Sequence, residues 1–219
     1  MTGYVQSLDL ACGALLVTAV VIVWRRRLSA IIRTFALQGT ALAAIAAILA
    51  AHGHDPRLGA VAAGVLVLRA VALPWLLRRA LGSGPDAGGR ETRPLINVTA
   101  SLLAVAALTM LAYAVSRPLT ALDPSPAADA IPVGIAVTLS GFFVLVTRRR
   151  AVSQLAGFLL MDNGITATGF LTTADTGLLV ELGVSLDVLL AVVVLRVLAG
   201  RMRDVFGDTD LDDLRELRD

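Results

Sequence analysis

The sequence contains no lysine; all nineteen basic residues are arginine. It has one cysteine, Cys12, which excludes an intrachain disulfide framework, a cysteine-ligated iron–sulfur site and a cysteine-rich zinc site. Charged residues are scarce at 16%, and aromatic residues make up only 5%. A soluble domain of 219 residues with 57% hydrophobic side chains and so few charges could not cover its apolar surface. No Walker loop, Gly-rich dinucleotide turn, nucleophile elbow or haem-ligand histidine within an apolar run is present. The start, MTGYVQSLDL, lacks the basic n-region of a secretory signal, and the first apolar run ends in Arg25-Arg26-Arg27 with no small-residue cleavage site, so no cleaved leader is expected.

What the chain has is long apolar runs without a polar face. Seven are expected to cross a bilayer as α-helices: 8–24, 30–51, 58–77, 95–115, 131–147, 151–171 and 177–199. Two stretches between them read as loops, GSGPDAGGRETRP and RPLTALDPSPAADAIP. The arginines set the orientation. With the N-terminus outside, Arg25–Arg27, Arg78, Arg79, Arg90, Arg93, Arg148–Arg150 and the tail arginines lie inside, and only Arg57 and Arg117 lie outside. Trp24 and Trp75 at the inner ends and Tyr113 at an outer end fit an aromatic belt.

A weak internal repeat is visible. VWRRRLSAIIRTF and VTRRRAVSQLAGF share an arginine triplet and a following Phe, and the next run in each half carries VLR, at 67–69 and 194–196. The expected fold is an all-α polytopic bundle, N-out and C-in. It has a three-helix unit at 1–79, a linker, fourth helix and outer loop at 80–130, a second parallel three-helix unit at 131–199, and a cytoplasmic tail at 200–219. The tail spaces Leu211, Leu214 and Leu217 as a short amphipathic helix would, for docking on a partner; a solvated tail is the plainer reading.

Three carboxylates fall inside the apolar runs, away from the first turn: Asp162, Glu181 and Asp187. An ionised carboxylate at that depth must face protein or water, which suits either a proton relay or a hydrogen-bonded packing role. Asp162, Thr166, Gly169 and Thr173 share one helix face, with Asn163 beside the carboxylate. Arg69, in VLRAVALPWLL, calls for a carboxylate partner or a water cavity, or else snorkels to the inner interface; Pro74 follows five residues later. Gln38 occupies roughly the repeat-equivalent place of the Asp162–Asn163 pair and can serve as interhelical glue. AHGHD, with His52, His54 and Asp55, is too sparse for a metal site and reads as a solvated turn, so no metal or cofactor is expected in this chain.

Three stretches, LAGFLLMDNGI, LLVELGVSLDVL and RAVALPWLLRR, together resemble the hydrogenase-4 component E family, membrane subunits of formate-hydrogenlyase-type complexes related to respiratory complex I. The last three runs resemble the small K-type membrane subunit of complex I and its C-type counterpart in multisubunit cation/proton antiporters. The resemblance implies a non-catalytic subunit in a prokaryotic plasma membrane, an accessory to a NiFe-hydrogenase-type oxidoreductase. Its partners would be antiporter-like subunits and the lipid bilayer, with no nucleic acid. Asp162, Asp187 and Glu181 would form the proton relay, with Arg69, Gln38, Asn163 and Thr166 as polar partners. Asp162 stands where the family's ENG carries Glu, one methylene shorter. The alternatives are a purely structural membrane-arm subunit and an independent secondary transporter.

Overall fold

The computed structural model describes residues 2–25, 27–75, 78, 97–122, 124–148 and 151–172. The described residues form helices and contain no strand. Helix α1 spans Thr2–Trp24, α2 Leu28–Gly53, α3 Pro56–Trp75, α4 Val98–Leu122, α5 Pro126–Thr147 and α6 Ala151–Thr172. Five of them, α1 to α5, are long and apolar enough to cross a membrane, and the protein is a multi-pass membrane protein. Helix α6 matches α5 in length but carries more polar groups. The expected seventh run, with Glu181 and Asp187, lies outside the described residues, as do the first loop and the tail.

The helix ends are set by local chemistry. Asn97 Oδ1 accepts from Ala100 N–H at 2.7 Å and so caps α4. Ser125 Oγ accepts from Ala128 N–H, and Pro126 takes the first helical position of α5, where its missing N–H costs nothing. The prolines of the stretch 117–132 predict a loop. Instead α4 runs to Leu122 and α5 starts at Pro126, with Pro118 and Pro132 inside the helices. Pro118 lies in the last turn and a half of α4 and Pro132 two turns into α5, where neighbouring turns hold the helix across one lost hydrogen bond. The AHGHD turn is likewise accounted for. The His52 ring stacks on Tyr4 at 3.9 Å, His54 is the left-handed residue closing α2, and Asp55 caps α3 by accepting from Arg57 N–H at 2.8 Å.

Helices α1, α2, α5 and α6 form the centre, with α1 against α2 and α5, and α2 against α6. Helix α3 lies along α2, and α4 flanks α5 and α1 with little of its surface covered. The closest pair is α5 and α6. A Cβ placed on Gly134, Gly141, Gly157 or Gly164 would strike backbone of the facing helix, at Thr168, Met161, Leu145 and Thr138 respectively. Heptad-spaced glycines on both helices therefore let the two backbones touch, the usual way to gain dispersion contact where lipid removes the hydrophobic drive. Composition alone shows the glycines but not which of them meet.

The arginine triplet at 148–150 does more than set charge asymmetry. The Arg148 guanidinium is buried and donates to the Val23 carbonyl at 2.8 Å, one of the acceptors left over at the end of α1. Gln154 Nε2 donates to the Arg148 carbonyl at 3.0 Å, tying the start of α6 to the same point.

Replacing Gly164 by Leu is expected to force α5 and α6 apart and cost at least about 1–3 kcal/mol, the range for overpacking. The check is a lower midpoint in SDS-induced unfolding. Arg148→Ala is expected to lose about 1.5–3 kcal/mol, the range for a hydrogen bond to a charged group, in the same assay, whereas Ala at exposed Arg25 should change it little.

Candidate functional site: a buried ion pair across three helices

Helix α3 changes pitch where it carries its charge. Leu66–Ala72 is π-helical, and Leu73 N–H donates to the Leu68 carbonyl, five residues back. Pro74 supplies the reason. In a regular helix its ring would press on the Ala70 carbonyl and it has no N–H to give. The wide turn relieves that clash. It also turns Arg69 into the bundle, where the side chain is 2% exposed.

Gly39 on α2 allows this placement. A Cβ there would lie 2.6 Å from the Arg69 carbonyl carbon and 2.8 Å from Ala70 N. No larger residue fits without pushing the wide turn away from α2.

Arg69 meets the carboxylate of Asp162, at the middle of α6, with Nη1 2.6 Å from Oδ2. Nη1 also donates to Asn163 Oδ1, and Nη2 donates to Thr166 Oγ1 at 3.0 Å. The Thr166 hydroxyl in turn donates to the Asp162 carbonyl at 2.9 Å. Asn163 Nδ2 donates to Gln38 Oε1 on α2 at 2.9 Å. One chain of contacts thus runs from α2 through α6 to α3. Among the described residues, Gln38 Nε2, fully buried, finds no acceptor.

The magnitudes rank these contacts. An uncharged interhelical hydrogen bond such as Asn163–Gln38 averages about 0.6 kcal/mol in a membrane. A charge at the middle of a spanning helix costs about 2.5–3.5 kcal/mol on insertion scales. The ion pair therefore governs the site, and the amides and hydroxyl orient it. Arg69, Asp162, Asn163, Thr166 and Gln38 come together here, while Glu181 and Asp187 lie outside the described residues. Sequence reasoning does not reach Gly39 or the wide turn; the only local signal is Pro74 after a charged residue.

A small cavity adjoins the pair, lined by Phe35, Arg69, Leu73, Pro74, Leu159 and Asn163. Among the described residues no group of three or more His, Cys, Asp or Glu could hold a metal ion.

The uncharacterized protein Rv0085 of Mycobacterium tuberculosis is 54% identical to this chain over 211 residues, covering 96% of both. The chain belongs to the family of that protein. It is also similar to hydrogenase-4 component E of Escherichia coli K12 and of Shigella flexneri, 23% identical in each case over 218 residues and the whole of both chains. No protein-family model and no solved structure matches it.

Removing one partner of the pair should cost far more than removing both. Arg69→Ala and Asp162→Ala are each expected to lose about 3–5 kcal/mol by stranding a buried charge, whereas the double variant Arg69→Met, Asp162→Leu should lie within about 1–2 kcal/mol of the parent. Unfolding midpoints of the two singles and the double in SDS check this.

Proposed function

We propose that this protein is a non-catalytic membrane subunit of a hydrogenase-like, complex-I-like oxidoreductase, and that its buried polar cluster handles protons. The observation that carries the reading is a charged pair bonded across helices of an apolar bundle. The chain that holds it is similar along its whole length to hydrogenase-4 component E. The redox centres reside in other subunits, and antiporter-like subunits flank this one in a prokaryotic plasma membrane. Asp162 is the central relay group, and Asp187 and Glu181 continue the path.

The geometry gives Asp162 two states. Ionised, it neutralises Arg69 across 2.6 Å. When protonated it loses that attraction, and the guanidinium keeps the neutral acceptors Asn163 Oδ1 and Thr166 Oγ1. A proton passing through Asp162 therefore loosens α3 from α6 without leaving Arg69 bare. Binding such a proton and releasing it onward is the work of a relay.

A second reading has an observation of its own. The same pair clamps α3 to α6, so the chain could act only as a brace between larger subunits. The two readings part on Asp162→Asn in the assembled complex. As a relay, the variant co-purifies with its partners and proton translocation in vesicles falls at least about tenfold, the scale of a lost acid–base group. Unchanged translocation with intact assembly removes the relay role, and loss of assembly alone favours the brace.

A further inference from the structure

The cavity beside the ion pair has a direction. Phe35 lies one turn from Gln38 on α2, Leu73 and Pro74 one turn from Arg69 on α3, and Leu159 one turn from Asn163 on α6. In each helix the displacement is toward the same end of the bundle, the end that carries Arg25, Arg27, Arg78 and Arg148. The space admits the centre of a water over about 10 Å³, the lower limit for one ordered molecule. Its walls are apolar except for Arg69 and Asn163. Asn163 gives one amide hydrogen to Gln38 and has a second to donate, and its Oδ1 has two lone pairs. A dry, purely apolar space of this size would stay empty, but a guanidinium and an amide in its wall supply the partners a buried water needs.

We infer that this cavity is a water site, holding one molecule on Arg69 and Asn163, and that the ion pair is hydrated from the arginine-rich end of the bundle. The water donates to Asn163 Oδ1 and accepts from the guanidinium or from Asn163 Nδ2. It lowers the cost of keeping Arg69 charged inside the bundle and places a protonatable molecule next to the carboxylate's partner. The site follows from the cavity and its lining, and it holds whether Asp162 passes protons or only anchors Arg69.

Hydroxyl radicals made from water by a brief X-ray pulse oxidise side chains that touch water, and mass spectrometry reads the rates in the full-length protein in lipid nanodiscs. Phe35, Leu73 and Leu159 are all buried, as are Phe170, Leu42 and Leu160, which match them in type and lie away from the cavity lining. The inference expects Phe35 to react several-fold faster than Phe170, and Leu73 and Leu159 several-fold faster than Leu42 and Leu160. Equal slow rates in both sets overturn it. Leu159→Phe, which fills the space, should return Phe35 to the rate of Phe170. If that variant is unfolded, the control residues react fast as well, and the comparison within the parent protein decides. The labelling reads water and not proton flux, so its failure leaves the relay test standing.

Discussion

A guanidinium inside an apolar bundle is the constraint from which the rest of this structure follows. Arg69 cannot stay charged there without a carboxylate, and Asp162 supplies it from a helix 93 positions later in the chain. That demand fixes which faces of α3 and α6 turn toward each other. It explains why α2, lying alongside both, carries a glycine where the arginine's own backbone must pass and an amide where the carboxylate's neighbour must be held. The π-helical turn serves the same end, because a regular helix approaching Pro74 would aim the side chain elsewhere.

The parts of the fold most legible in the sequence were those governed by composition over a long window. Long apolar runs announce spanning helices because the bilayer leaves the backbone no other partner. The prolines at 118 and 132 point the sequence reading to a loop that is not there. They break helices in water, where a peptide can turn to solvent for its hydrogen bonds, and in an apolar surrounding the same residues are absorbed into α4 and α5. The polar residues of the site could be singled out one by one, since each is costly where it stands. That Asn163 would bridge Arg69 and Gln38 was not legible, because such pairing depends on the rotation of three helices about their axes. Nor could Arg148 be told from its neighbours in the triplet: its role rests on the closeness of the end of α1.

The pair also shapes how the subunit can respond to its partners. Its strength is the only large term at the centre of the bundle, so a proton on Asp162 and a displacement of α3 are two descriptions of one event. A neighbouring subunit that pushes on α3 would alter the protonation of Asp162, and the reverse holds with the same coupling energy. A subunit of this kind needs no redox group to convert a movement at its surface into a change of charge at its centre.

The glycine contact between α5 and α6 carries a mechanical consequence. Two helices whose backbones touch along two heptads on each side cannot slide or rotate singly; they move as a single stiff plank. Asp162 is mounted on that plank and Arg69 on a helix whose wide turn makes it pliable at that level. Strain arriving from either side of the molecule is thus delivered to one place, the gap between a rigid carboxylate and an adjustable guanidinium.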